Sequence, residues 1–315
     1  MNNLEFKKRV LFIGMPDMAF MGMDTLLYAG VNIVGVLGPM KSHSTYNLFK
    51  EFTISRRQNF IEYDKLDSQE LLDKIRELNV DIAVVCSFNN KFPKVFIDLI
   101  KDGIINIHPS LLPKYRGGNP YSWVIINGER ETGVTLHFIS EEFDEGDIIA
   151  QEKCPLLKQE TMGTLFNKTN QIGCSMLLKA IIYYENNGYL PRKKQDSGVF
   201  VKAPNFKDEE LYIDYYKSAE YIERFLRSLN PYLTPMTMYN NHIVNIYKVS
   251  VIDDKKYSKF LPGVICDIKD NKVYIKTQSG CIVPEVMQIP GLFFGNSSDF
   301  ISIIKPKIGD KFTNG

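Results

Sequence analysis

Short apolar runs alternate with helical patterns through the first 110 residues, and no other feature restricts the fold as much. Val10-Leu11-Phe12-Ile13-Gly14 reads as a buried strand from its length and terminal glycine. Asp17 to Ala29 follows as a helix, with Asp17 as N-cap and Gly30 closing it. Strands are expected at Val31 to Leu37, Phe60 to Tyr63, Asp81 to Phe88 and Gly103 to Ile107. Ser68 to Leu78 is an amphipathic helix with Leu71, Leu72, Ile75 and Leu78 on one face, and Val95 to Lys101 is a further helix. This β-α-β order predicts an α/β fold: a Rossmann-like, mostly parallel sheet with helices on both faces.

After Gly133 the pattern turns strand-rich, with Gly133 to Ile139 and Asp147 to Glu152, and then a long helix from Thr161 to about Asn186. Residues 191–205 are expected to be a linker between a catalytic domain, 1–190, and a C-terminal domain, 206–315. In the latter, a helix at Ser218 to Leu229 precedes short strands broken by glycine and Asp-Asn turns. That pattern suits a small C-terminal β-barrel.

Charge and cysteine usage exclude several classes. The 38 basic and 37 acidic residues nearly cancel, so the balance points to neither nucleic acid nor an anionic membrane. The five cysteines are scattered and form no C-x-x-C, which indicates no zinc site or other metal and suits a reduced cytoplasmic setting. No stretch approaches the ~20 apolar residues of a membrane span.

The chemistry is concentrated at Asn106-Ile107-His108-Pro109-Ser110-Leu111-Leu112-Pro113-Lys114-Tyr115-Arg116-Gly117-Gly118. Strand alternation puts Asn106 and His108 on one side, at the carboxyl end where open α/β sheets bind ligands. Asp144 stands later in Phe143-Asp144-Glu145-Gly146, before a glycine turn from which a carboxylate can reach His108. An amide, an imidazole and a carboxylate suit acyl transfer: the amide N–H stabilises an oxyanion, the imidazole shuttles protons and the carboxylate holds the imidazole charged. His137, in an apolar strand, is expected to be a packed core histidine. There is no G-x-G-x-x-G after the first strand and no Walker lysine, so nicotinamide and nucleotide-triphosphatase readings are weak.

With N-x-H-x-S-L-L-P, R-G, T-G-V-T and D-x-G in this order, the chain resembles the folate-dependent formyltransferase superfamily. Lys114-Tyr115-Arg116-Gly117, Pro120, Trp123-Val124 and Asn127-Gly128-Glu129 are similar to the formyltransferase half of the bifunctional 4-amino-4-deoxy-arabinose enzyme and to other amino-sugar N-formyltransferases. Similarity to methionyl-tRNA formyltransferase is also present. The resemblance implies a C-terminal barrel related to oligonucleotide-binding folds and 10-formyltetrahydrofolate as donor. It implies that Asn106 steadies the transition state, His108 transfers the proton and Asp144 raises the pKa of His108. The folate would lie against the loop with Phe88, Asn90, Lys91 and Phe92 and the loop with Ser140, Glu141, Glu142 and Phe143. Sugar recognition would fall to Lys114, Tyr115, Arg116 and Trp123. The arabinose-type pattern has an arginine after R-G where this chain has Gly118, so that arginine's contacts are missing here.

The acceptor expected is the primary amine of a nucleotide-linked amino sugar. Initiator Met-tRNA is the alternative: tRNA binding needs a basic surface, whereas residues 206–315 hold 14 basic against 13 acidic side chains and Gly38 to Phe52 only Lys41 and Lys50. A non-catalytic folate- or RNA-binding relative and a formyl-folate hydrolase are the other readings. Oligomeric state stays open, with a homodimer among the choices.

Overall fold

The computed structural model describes residues 5–16, 18–196, 198, 200–253 and 255–314. Asp17, expected as an N-cap, lies outside them. The chain forms two compact units: Met1–Pro120, Glu131–Pro155 and Asn167–Ala203 make the first, and Tyr121–Arg130, Leu156–Phe166 and Pro204–Gly315 the second.

In chain order the elements begin with β1 (Val10–Gly14), α1 (Met18–Tyr28), β2 (Ile33–Leu37), α2 (Tyr46–Ser55), β3 (Phe60–Ile61) and α3 (Gln69–Glu77). Next come β4 (Ile82–Cys86), α4 (Lys94–Ile97), β5 (Ile104–His108), β6 (Lys114–Arg116), α5 (Pro120–Ile126), β7 (Glu131–Phe138), β8 (Ile148–Pro155), α6 (Met162–Asn187) and β9 (Val201–Lys202). The first unit's sheet has the order β3-β2-β1-β4-β5-β7-β8. Pairings among β1 to β5 are parallel, whereas β7 is antiparallel to β5 and β8 to β7.

The period-2 alternation of strands decides which side chains go to which face. Val10 and Phe12 join Met23 and Leu26 of α1 and Leu177 and Ile181 of α6 in one cluster. Leu11 and Ile13 point the other way, onto Leu71, Leu72 and Ile75 of α3 and Phe96 of α4. Burying such side chains contributes roughly 1.5–3 kcal/mol each. Helix α1 ends where Gly30 adopts φ +83°, a conformation that glycine takes without a Cβ penalty. Within the segment expected as a linker, Lys193 exchanges backbone hydrogen bonds with Ile148, and β9 lies parallel to β6.

The second unit continues with α7 (Ala219–Leu229), β10 (Met236–Tyr239), β11 (His242–Ile252), β12 (Ile265–Lys269), β13 (Lys272–Lys276), β14 (Cys281–Ile289), β15 (Phe293–Gly295) and α8 (Ser297–Ile304). Its antiparallel sheet runs β10-β11-β14-β13-β12, with β15 on β14. The final segment joins the two outer strands. Thr313 exchanges backbone bonds with Met238 of β10, while Gly309, Asp310 and Phe312 bond to Ile265 and Gly263 beside β12. This ring of pairings forms the small barrel expected from the sequence, filled by Ile222, Leu226, Ile246, Ile275, Met287, Phe300 and Phe312.

Candidate active site

Asn106 and His108 share a face of β5, and the antiparallel register with β7 sets His137 opposite Asn106 and Thr135 opposite His108. Cross-strand partners point to the same side of a sheet, so two histidines and an amide converge. Thr135 then builds the backing of the site. Its hydroxyl donates to Ser110 O at 2.6 Å and accepts from Leu112 N at 3.1 Å, while Gln151 Nε2 donates to Leu112 O and Thr135 Oγ1, both at 2.9 Å. The Ser-Leu-Leu-Pro loop is thereby held against β7.

Asp144 enters from the turn after β7. It stands at φ +57°, a left-handed conformation costing an L residue about 1 kcal/mol. Gly146 allows the turn to close: a Cβ there would lie 1.8 Å from Phe138 O. The Asp144 carboxylate accepts from Gly117 N at 2.9 Å through Oδ2. Its Oδ1 is 3.5 Å from His108 Nδ1 and 3.6 Å from His137 Nε2. One carboxylate oxygen therefore faces both imidazoles.

The hydrogen bonds assign the ring protons. His108 Nε2 lies 2.8 Å from Tyr115 O and must donate to it, which leaves Nδ1 facing Asp144 Oδ1. His137 Nδ1 lies 2.8 Å from Phe138 O and also donates, so its Nε2 accepts from Asn106 Nδ2 at 3.1 Å. Burial foremost, and His108 second, push His137 down to about 4, which keeps it neutral. An obligate acceptor at His137 Nε2 requires Asn106 to turn its NH2 group toward it. The amide's second hydrogen remains available to the cleft.

That cleft holds about 410 Å³ of empty space including its open mouth. Its walls are Val85, Phe88, Asn90, Lys91, Phe92, Asn106, His137, Ile139, Ser140, Glu142, Phe143 and Asp144. The Phe88 and Phe92 rings stack with centroids 5.2 Å apart, and Lys91 Nζ lies 3.0 Å from Glu142 Oε1 across the rim. The wall combines these stacked rings with the amide of Asn106 and the carboxylate of Asp144. Glu141, expected with the folate loop, does not line the cleft; its carboxylate is 4.0 Å from Lys94 Nζ. His108 is also not a wall residue. Only 4% exposed, it stands behind Asp144.

The residues expected for sugar recognition divide. Lys114 is exposed on β6, and Tyr115 is buried. Arg116 is engaged by Glu145 (2.7 Å) and Gln195 (2.7 Å). Trp123 belongs to the second unit, where its indole stacks on Phe206 and donates to Pro204 O at 2.8 Å; these are packing contacts. His137 is the functional candidate that the sequence reading assigned to the core. It is indeed buried, at 1% exposure, and only the β5–β7 register reveals its bond to Asn106.

The formyl transferase family model matches residues 32–181, and the formyl transferase C-terminal domain model matches residues 205–302. A methionyl-tRNA formyltransferase of Clostridioides difficile is 33% identical over 288 residues, covering 90% of this chain and 92% of that protein. The chain belongs to the formyltransferase family. This formyltransferase also shares its fold with the N-formyltransferase of Helicobacter canadensis solved with folinic acid and dTDP-3-aminofucose (TM-score 0.65, 20% identity, 88% of this chain and 98% of that one). WlaRD, a sugar 3N-formyltransferase solved in the presence of dTDP and 5-N-formyl-THF, superposes with a TM-score of 0.64 at 21% identity, covering 91% and 99%. Among the described residues no helix is long and apolar enough to cross a membrane.

Proposed function

We propose that this formyltransferase moves a formyl group from 10-formyltetrahydrofolate to the primary amine of a nucleotide-linked amino sugar, with Asn106, His108 and Asp144 as the acting groups. The observation carrying this reading is the placement of one Asp144 oxygen 3.5 Å from His108 while Asn106 keeps an N–H for the cleft. When bound, the donor supplies an activated formyl carbon. Asn106 then donates to the formyl oxygen as negative charge builds there. Asp144, on the cleft wall, takes the proton that the attacking amine gives up and shares it through Oδ1 with His108 Nδ1. A proton at that position joins imidazole and carboxylate. The same pair returns it to the departing folate nitrogen, so no net proton is consumed. The five cysteines are buried and none is in a disulfide, which suits a reducing compartment, the cytoplasm.

A small acceptor is favoured by where the cations point. Lys41 and Lys50 both bind Glu62, which the two lysines pull down to about 2, and Arg56 binds Asp24 at 2.7 Å. Three cations of the corner between β2 and β3 are thereby engaged with acidic partners, whereas tRNA binding draws its affinity from Lys and Arg side chains placed on phosphates. The relatives support a second reading, formylation of initiator Met-tRNA, because those at 28–33% identity are methionyl-tRNA formyltransferases. The test supplies 10-formyltetrahydrofolate with dTDP-linked amino sugars in one reaction and charged initiator tRNA in another. Turnover on the sugars supports the first reading; turnover on the tRNA alone overturns it.

A further inference from the structure

We propose that Gln195 is a positioning residue for Asp144, an inference resting on the reading of Asp144 as an acting group. Asp144 stands at φ +57°, a region that aspartate enters more readily than most L residues but at a cost. Gln195 supplies the constraint from a distant part of the chain. Its Nε2 donates to Asp144 O at 2.7 Å and to Gly146 O at 2.8 Å, bracketing Glu145. Its Oε1 accepts from Arg116 Nη2 at 2.7 Å and Nε at 3.2 Å. A reversed amide would face two carbonyls with its oxygen and a guanidinium with its N–H groups, so the network permits one orientation only.

Arg116 completes the brace by donating from Nη1 to Glu145 Oε1 at 2.7 Å. The backbone carrying Gln195 is anchored on both sides, by the Lys193–Ile148 pairing (2.7 and 2.9 Å) and by β9 on β6. Residues 193–196 therefore act as a strap across the Asp-x-Gly turn. A strap of this kind fixes the direction in which the carboxylate leaves the turn, and with it the separation from His108. The side chain is not itself part of the cleft wall, and its contact with that wall runs through Asp144.

A double-mutant cycle on the full chain tests this, with 10-formyltetrahydrofolate as donor and whichever of the dTDP-linked amino sugar or initiator Met-tRNA the wild type formylates. Gln195→Ala should lower kcat roughly tenfold to a hundredfold, as small misplacements of reacting groups do. The KM for donor and the calorimetric affinity for folinic acid should stay within about twofold. In an Asp144→Asn background the same change should cost nothing further, because groups acting through one another are not additive. Gln195→Glu, which sets a carboxylate oxygen against the two carbonyls, should fail to rescue. A wild-type kcat in Gln195→Ala, or losses that multiply with Asp144→Asn, overturns the role of Gln195 alone. Full turnover in Asp144→Asn by itself overturns the reading of Asp144 and this inference with it.

Discussion

His137 presents one ring nitrogen to a carbonyl and the other to an amide, and both bonds need the neutral ring. The unfolded chain would protonate this imidazole near ~6.5, whereas burial holds the folded one down to about 4. Between those values the unfolded state binds more protons, so stability falls as pH drops through that window and the loss is complete below it. The loss amounts to at most roughly 3 kcal/mol. Urea unfolding at pH 7 and pH 5 should show a smaller acid loss in His137→Asn than in the wild type; an equal loss would place the acid sensitivity elsewhere. The same residue orients Asn106. His137→Leu should therefore reduce kcat by about tenfold while folinic acid affinity, read by calorimetry, is kept. A lost affinity with unchanged kcat would make His137 part of the donor pocket only.

At the scale of elements, the Asp-x-Gly turn depends on Gly146, since a Cβ there would penetrate Phe138 O. Gly146→Ala should destabilise the first unit by about 1–3 kcal/mol and weaken folinic acid binding, both measurable by thermal shift with and without the ligand. An unchanged melting temperature would contradict the packing described. The elements that position Asn106 and His108 were readable beforehand, because β1, β2, β4 and β5 are apolar runs with clear ends. Helix α2 was not. It buries only Phe49 and Thr53, so its apolar period is weak. Strands β6 and β9 span three and two residues and exist through their pairing alone, which no local pattern reports. Gln195 was hidden for the same reason. Its four hydrogen-bonding contacts come from positions 79 and about 50 residues away in sequence.

For the whole molecule, charge balance bears on the acceptor, and it was visible from composition, whereas the pairing of Lys41, Lys50 and Arg56 with acidic partners was not. Formyl transfer to a small acceptor should change only about twofold between 50 and 200 mM salt, while a phosphate-bound tRNA would lose orders of magnitude in affinity. A steep salt dependence of KM for the acceptor would favour the tRNA reading. Formyl transfer in this site requires His108 and Asp144 to handle the transferred proton together. The most direct measurement is single-turnover formyl transfer by His108→Asn at saturating 10-formyltetrahydrofolate, beside calorimetry with folinic acid. The account predicts transfer at least ~10²-fold slower with donor binding retained. Transfer at the wild-type rate would contradict it.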